Sequence, residues 1–181
     1  MRIIAGQWRG RKIAAPEGET TRPTTDRVRE ALFSMLASRL GSFEDLRIAD
    51  LFAGSGALGL EALSRGAAHC TFVEQDPAAI KALQSNVAEL GANADIQRVS
   101  AERLNTAQIA YDVIVMDPPY DVGWADKILP VIMSQNWLTT SSWVSIETEK
   151  SAPIEIPGLS IDTVRIFGKA QVTLLRLTES V

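Results

Sequence analysis

One glycine-rich segment constrains the fold of this chain more than any other feature. It reads Asp50-Leu51-Phe52-Ala53-Gly54-Ser55-Gly56-Ala57-Leu58-Gly59-Leu60, follows an apolar run typical of a strand, and opens a helical stretch. Glycines are needed where the backbone turns tightly and lets a ligand approach its amides. Read literally, Gly54-x-Gly56-x-x-Gly59 is the fingerprint of a dinucleotide-binding turn. We therefore predict a βα turn that binds a nucleotide-type cofactor, with Phe52 and Ala53 among the binding residues.

Strand-like and helical patterns alternate after Gly41. Candidate strands lie at 47–51, 69–74, 95–99, 112–116 and 142–147, and candidate helices lie near 57–65, 77–90 and 125–134. Short apolar strands separated by amphipathic helices predict a parallel sheet that is covered on both faces. Two further strand-like runs, 161–167 and 170–177, are joined tightly at Gly168-Lys169 and predict an antiparallel hairpin at the edge of the sheet.

The first 40 residues differ in pattern from the rest. Residues 2–5 and 11–14 alternate apolar and polar around two glycines, which predicts a small hairpin or extended arm. Thr24 or Thr25 can cap a helix, because the apolar residues that follow recur with a period of 3.6. We therefore predict an N-terminal arm and helix at 1–40 and a single sheet domain at 41–181.

Charge is distributed unevenly along the chain. The formal net charge is −4, but residues 1–30 hold seven basic and four acidic residues, so the remaining residues carry −7. A locally basic arm on an acidic body suits a polyanion such as RNA, because phosphates respond to local charge. A solvated basic segment without a ligand is the alternative.

Composition predicts a soluble, cytoplasmic protein. No apolar run approaches the roughly 18 residues that a membrane span needs, and the N-terminus turns polar too early for a secretory signal. The single cysteine, Cys70, cannot form an internal disulfide. We find no residue pattern typical of a metal site, and His69 is interpreted as a surface residue that opens a strand.

Two carboxylates bear on which cofactor the turn binds. Asp50 ends a strand four residues before Gly54, where it suits a cationic amino-acid group and would repel a pyrophosphate. This favours S-adenosylmethionine and leaves an NAD-dependent enzyme as the alternative. Glu74 ends the next strand, beside Gln75, where a carboxylate can accept both ribose hydroxyls of either cofactor. The adenine ring would lie near Ser100 and Ala101, beyond the third strand.

A tetrapeptide predicts the reaction. Asp117-Pro118-Pro119-Tyr120 follows the buried strand 112–116, at the sheet edge where open α/β sheets bind ligands. The exocyclic amine of a base is poorly nucleophilic, since its lone pair is delocalised into the ring. Asp117 and the Pro118 carbonyl can accept its two N–H bonds and stabilise the developing positive charge. Pro119 stiffens the turn, and Tyr120 offers a face on which an extruded base can stack.

These residues resemble the class I methyltransferases that act on amino groups. The N-terminal segments 2–12 and 22–30, together with 52–66, closely resemble the RsmD family of bacterial small-subunit ribosomal RNA guanine-N2 methyltransferases. The resemblance covers nearly the whole chain. It implies a Rossmann-like methyltransferase fold, in which a mostly parallel seven-stranded sheet ends in an antiparallel hairpin and carries a small N-terminal extension.

The resemblance also implies roles for individual residues. Asp117, Pro118 and Tyr120 would hold the guanine, and the turn with Asp50 and Glu74 would hold S-adenosylmethionine, leaving S-adenosylhomocysteine as product. The following residues of the arm would contact 16S ribosomal RNA: Trp8, Arg9, Arg11, Lys12, Arg22, Thr24 and Arg27. The implied partner is the RNA or the small ribosomal subunit, with no membrane and no metal involved, and the expected state is a monomer.

Some points stay open from the sequence. Family members often carry Asn or Asp where Ser100 stands, so the adenine contact differs here. Glu147 fits either a late active-site residue or a buried structural acid. Trp124, Trp137 and Trp143 are interpreted as packing. The alternatives in function are an amino-methyltransferase on another base, such as adenine N6, and a non-catalytic RNA-binding assembly factor.

Overall fold

The structure is a computed structural model that describes residues 1–16, 25–119, 123–150 and 154–178. Four α-helices and seven strands follow one another along the described chain. The helices are α1 (Thr25–Leu40), α2 (Ala57–Ser64), α3 (Pro77–Leu90) and α4 (Trp124–Ser134), and a short 3-10 helix spans Ala101–Arg103. The strands are β1 (Arg47–Leu51), β2 (His69–Val73), β3 (Ala94–Gln97), β4 (Val113–Met116), β5 (Trp143–Glu149), β6 (Leu159–Phe167) and β7 (Ala170–Leu177).

All seven strands form one sheet in the order β3-β2-β1-β4-β5-β7-β6. The first five strands in this order run parallel, and β7 pairs antiparallel with both β5 and β6. The chain moves outward from β1 to β3 and then returns to place β4 on the other side of β1. This arrangement confirms the predicted Rossmann-like methyltransferase fold and its C-terminal hairpin.

The sheet separates two apolar cores. Side chains alternate along each strand, so Ile48 and Val113 belong to one core while Ala49 and Ile114 belong to the other. Helices α1, α2 and α3 supply the first core, and α4 with the 3-10 helix supplies the second. Both faces are therefore covered, as the continuous apolar strands require.

Local sequence signals account for the helix ends. The side chain of Asp76 accepts a hydrogen bond from the Ala79 N–H at 2.8 Å and caps α3, whose first residue is Pro77. The same helix ends at Leu90 and is capped by Gly91, which adopts a φ of 61°. For α1, the predicted cap Thr24 lies outside the described residues.

The N-terminal arm forms the predicted hairpin, but its two sides are joined by a single antiparallel bridge and no named strands. Arg2 makes an antiparallel bridge with Lys12, and the Ile3 N–H donates to the Arg11 carbonyl at 3.0 Å. Ile3 and Ile13 are buried in the same core as α1 and α2. The arm therefore packs directly onto the helical layer.

Two sequence interpretations concern packing. Trp137 and Trp143 are buried, as predicted. His69 opens β2, as predicted, but its side chain is only 15% exposed, so it is partly buried and not fully at the surface. Its Nε2 lies 3.3 Å from Asp95 Oδ2, because β2 and β3 are paired neighbours. In the described part of the chain, no helix is long and apolar enough to cross a membrane.

Candidate cofactor and active site

The site candidates gather at one edge of the sheet. Strand β1 lies between β2 and β4, and all three run in the same direction. Their carboxyl ends therefore meet, and they bring Asp50, Glu74 and Asp117 to the edge where such sheets bind ligands.

Asp50 is buried at the base of the glycine-rich turn. Its side chain is 1% exposed, and Oδ2 accepts a hydrogen bond from the Gly59 N–H at 2.8 Å. Burial raises the pKa of this carboxyl well above its ordinary value, and the nearby charges of Asp117 and Glu74 raise it further, against the lowering by the Gly59 bond. Asp117 and Glu74 therefore disfavour the charged form of Asp50, and a cation placed beside Asp50 would favour it.

Backbone amides hold Glu74 in place. Its Oε2 accepts from the Gly54 N–H at 2.8 Å, and its Oε1 accepts from the N–H groups of Gln75 at 2.7 Å and Asp76 at 2.9 Å. The Glu74 carboxylate thus joins the β2 end to the glycine-rich turn. It is half-buried, so part of it stays open to a ligand.

The three glycines have different surroundings. A Cβ added at Gly54 would meet nothing within 4 Å, whereas one at Gly56 would lie 2.4 Å from Leu83 Cδ1. A Cβ at Gly59 would lie 2.3 Å from Phe72 Cε1 and 2.5 Å from the sulfur of Cys70. Gly54 therefore leaves the turn open toward solvent, Gly56 makes room for the Leu83 side chain of α3, and Gly59 lets α2 approach the sheet. Ala53 is buried, and its N–H donates to the Val73 carbonyl at 3.1 Å.

An aromatic pair lies beside the turn. Phe52 has a φ of 60°, which is uncommon outside glycine and often found at functional sites. Its ring centroid lies 5.0 Å from that of Trp124, and Lys127 lies over the Trp124 ring and 3.9 Å from Glu102. Sequence reasoning treated Trp124 as packing only. Its position just after the 117–120 tetrapeptide was the signal that could have placed it near the turn.

The tetrapeptide after β4 is described as far as Pro119. Asp117 and Pro119 are exposed, and Pro118 is buried. The Asp117 carboxylate is close enough to Asp50 to affect its pKa. Tyr120 lies outside the described residues.

The expected adenine region is a capped 3-10 turn. The Ser100 hydroxyl oxygen accepts from the Glu102 N–H at 3.3 Å. Ala101 is buried in the core on the α4 face. The side chain of Ala101 therefore faces the core.

The predicted RNA-contacting residues divide into three groups: exposed, half-buried and outside the described ranges. Arg9, Lys12 and Arg27 are exposed, and Arg11 is exposed but lies 3.3 Å from Glu89. Trp8 is half-buried and packs against the core. Arg22 and Thr24 lie outside the described residues.

One basic residue of the arm region is not available at the surface. The side chain of Arg29 is 3% exposed, with Nη2 2.9 Å from Asp26 and Nε 3.8 Å from Glu61. Burial lowers its pKa, and the neighbouring acids Asp26 and Glu61 oppose that shift. Within the described ranges, no group of three or more His, Cys, Asp or Glu side chains could hold a metal ion.

Comparisons with known proteins agree over most of the chain. The family model described as conserved hypothetical protein 95 matches residues 1–176. Ribosomal RNA small subunit methyltransferase D from Escherichia coli strain K12 is 42% identical over 151 residues, covering 82% of this chain and 75% of that protein. The protein of the same name from Haemophilus influenzae is 39% identical over 163 residues, 87% of this chain and 83% of that one.

A solved structure agrees in fold as well. The structure of yhhF from Escherichia coli matches with a TM-score of 0.88 and 36% identity, covering 99% of both chains. The similarity therefore extends over the arm, the glycine-rich turn and the hairpin together.

Proposed function

The chain belongs to the RsmD family, whose model is described as conserved hypothetical protein 95, and we propose that it transfers a methyl group from S-adenosylmethionine to the N2 amino group of a guanine in small-subunit ribosomal RNA. The relatives named above are ribosomal RNA small subunit methyltransferases, which supports the class of reaction and of substrate.

One observation carries the proposal. Three carboxylates, those of Asp50, Glu74 and Asp117, lie around a turn that Gly54 leaves open. Such an acidic edge suits a cofactor that carries positive charge on its sulfonium and its ammonium group. It would repel the pyrophosphate of NAD, which disfavours an oxidoreductase.

The residues present fit this cofactor. We propose that Asp50 and the backbone of Phe52–Gly56 hold its amino-acid end, that Glu74 and Gln75 hold its ribose, and that the turn at Ser100 and Ala101 holds its adenine. The cofactor supplies a methyl group that is already activated. The protein therefore needs neither a strong base nor a metal for that step.

Asp117 and Pro118 act on the other reactant. The Asp117 carboxylate and the Pro118 carbonyl accept the two N–H bonds of the guanine amine. This contact would turn the nitrogen lone pair toward the methyl group and stabilise the positive charge that develops on the nitrogen. As the new N–C bond forms, the bond from the methyl carbon to sulfur would break, S-adenosylhomocysteine would leave, and the nitrogen would lose one proton to the Asp117 carboxylate or to water. Pro118 is buried and Pro119 follows it, so the backbone that carries these acceptors is stiff. Positioning at roughly 3–3.5 Å between the reacting atoms is then the main task.

The partner follows from the substrate. We propose that the exposed residues Arg9, Arg11, Lys12 and Arg27 contact phosphates of the RNA, and that Tyr120 stacks on the extruded base. We propose that the enzyme meets this substrate in the cytoplasm and acts on it as a monomer.

A methyl-transfer assay tests the proposal. Labelled S-adenosylmethionine is offered with undermethylated small ribosomal subunits, with free ribosomal RNA and with DNA, and the products are identified by nucleoside mass analysis. We expect N2-methylguanosine in the ribosomal samples. Methylated adenine in DNA would contradict the base and the substrate, and cofactor binding without any product would favour an assembly factor.

A further inference from the structure

A buried acid ties the N-terminal arm to the helix that follows the cofactor turn. Glu61 lies on α2 and is 0% exposed. Its Oε2 accepts from the Ile4 N–H at 2.7 Å, and its Oε1 accepts from the Ala5 N–H at 3.0 Å and from Arg65 Nε at 2.8 Å. A buried carboxylate with these partners fixes the backbone of the arm, because every bond lost would leave a buried charge unsatisfied.

Ser64, one turn later on α2, makes a second set of bonds. Its hydroxyl donates to the Ala5 carbonyl at 2.6 Å and accepts from the Trp8 N–H at 3.0 Å, and its carbonyl accepts from the Gln7 N–H at 2.8 Å. The approach is so close that a Cβ at Gly6 would lie 1.7 Å from the Ser64 carbonyl oxygen. We call these contacts of Glu61 and Ser64 with residues 4–8 the arm latch.

Arg29 joins α1 to the same latch. Its Nη2 donates to the Arg2 carbonyl at 2.6 Å and to Asp26 at 2.9 Å, and its Nε lies 3.8 Å from Glu61. The backbone positions of Arg2 and of residues 4–8 are therefore all set by groups anchored on α1 and α2.

A cleft lies beside the latched arm. It has a volume of about 410 Å³ and is lined by the arm and by the first turns of α1. The lining residues are Arg2, Ile3, Ile4, Arg9, Gly10, Asp26, Arg27 and Glu30. Arg2 forms an ion pair with Asp26 at 3.6 Å. Arg9 and Arg27 form no ion pair with any described residue. Two exposed guanidinium groups at one cleft suit a phosphate of the RNA backbone, which Arg binds well.

The helix that carries the arm latch also contacts the proposed cofactor site. Helix α2 begins at the glycine-rich turn, and the Gly59 amide, two residues before Glu61, bonds to Asp50. The same eight-residue helix thus contacts the proposed cofactor acid through Gly59 in its first half and the arm through Glu61 and Ser64 in its second half.

We propose that Glu61 is a positioning residue that holds the arm in register with the cofactor turn, so that Arg9 and Arg27 bind a backbone phosphate of the RNA at the cleft. This inference rests on the proposed function, since it takes RNA as the ligand. It adds a specific phosphate site and a residue that acts on the RNA only through the arm.

The variant Glu61→Gln tests the latch. A glutamine keeps the size of the side chain but has one acceptor oxygen where the carboxylate has two. We expect the KM for ribosomal substrate to rise about tenfold, because misplacement by about an ångström is costly. The affinity for S-adenosylhomocysteine should stay within about twofold, since the glycine-rich turn is unchanged. The slope of the RNA-binding constant against salt concentration, on logarithmic axes, should become shallower by about the amount expected for the loss of one phosphate contact.

A purely structural role for Glu61 would not raise KM and lower the salt slope while leaving cofactor affinity unchanged. A matched control separates this positioning role from a general loss of stability. Asp162→Asn removes an exposed ion pair with Arg39 that joins α1 to β6, away from the arm. We expect this variant to keep the wild-type KM and salt slope. If Glu61→Gln does not fold, Ser64→Ala removes two bonds of the same latch and is expected to give the same split.

Hydrogen exchange provides a readout that does not depend on activity. The amides of Ile4, Ala5 and Trp8 should exchange faster in Glu61→Gln or Ser64→Ala than in the wild type, and should be unchanged in Asp162→Asn. If the wild type methylates no RNA, the proposed function fails while the exchange data still test the latch. A folded Glu61→Gln with faster arm exchange but unchanged KM and salt slope would overturn the positioning role, and unchanged exchange would overturn the latch itself.

Discussion

Asp117 is the residue whose removal separates binding from chemistry. It is exposed at the end of β4, beside the buried Pro118, so its loss leaves no cavity in the core. For Asp117→Ala we expect kcat to fall about 10²–10³-fold, as for loss of one preorganised hydrogen-bonding group. The affinity for S-adenosylhomocysteine, measured by calorimetry, should change little. Full turnover in this variant would contradict the acceptor role.

Asp50 should make stability depend on pH. Burial, with the charges of Asp117 and Glu74, raises its pKa in the folded chain. The folded state therefore holds this proton to higher pH than the unfolded chain, and the contribution of Asp50 to stability is lost as pH rises through the raised pKa.

The variant Asp50→Asn should remove that dependence. Its free energy of unfolding in urea should fall less than that of the wild type as pH rises from about 4 to 8. The same variant should bind S-adenosylmethionine more weakly, because a negative partner of the cation is gone. A wild-type profile that rises with pH across this range, with a flat profile for the variant, would contradict the assignment.

At the scale of elements, the close contact between α2 and β2 depends on Gly59, which has no side chain. A Cβ at Gly59 would lie 2.3 Å from the Phe72 ring and 2.5 Å from Cys70. Gly59→Ala should therefore lower the free energy of unfolding by about 1–3 kcal/mol through overpacking. The double variant Gly59→Ala with Phe72→Leu makes room for the methyl group, so the two effects should be less than additive in denaturant unfolding. Strict additivity would show that the ring is not the obstacle.

The elements were the part of the molecule that local sequence predicts well. The candidate strands agree with β1, β2, β4 and β5 to within two residues at either end, because each is a short apolar run. The hairpin at Gly168-Lys169 is also local and was predicted, and the cap at Asp76 depends on residues only three positions apart. Likewise, the approach of Asp50, Glu74 and Asp117 follows from parallel strands ending at one edge.

Contacts between distant segments could not be predicted in this way. Glu61 is 57 residues from Ile4, and nothing in the helical pattern of α2 indicates that its carboxylate binds backbone amides of the arm. The burial of Arg29 was missed for the same reason, since a basic segment looks solvated until its partners Asp26 and Glu61 are placed. His69 gains its partner Asp95 only through the pairing of β2 with β3.

At the scale of the whole molecule, the uneven charge should govern RNA binding. Residues 1–30 carry a net charge of +3 in a chain of −4. Changing Arg9 and Arg11 together to Ala should weaken RNA binding and make its salt slope shallower by about 1.4–1.8, as expected for two phosphate contacts. Fluorescence titration at several salt concentrations measures both quantities.

A control with equal charge change completes that test. Lys81 and Lys169 are exposed and lie outside the arm. Changing both to Ala alters the net charge by the same amount, and the salt slope should stay at the wild-type value. Equal losses in the two double variants would mean that overall charge, rather than the arm, sets the affinity.

The arm latch cannot form until the ribosome has synthesised its distant partner residues. Residues 4 and 5 are made before their partner Glu61, which lies 57 and 56 residues further along, and Ala14 is made before its own partner Asn86, 72 residues further along. At about 5–20 residues per second, roughly 3–14 seconds separate the appearance of each from its partner. During that interval the basic arm of the nascent chain lacks its docking site, beside a ribosome made of the class of RNA that the finished protein is proposed to methylate.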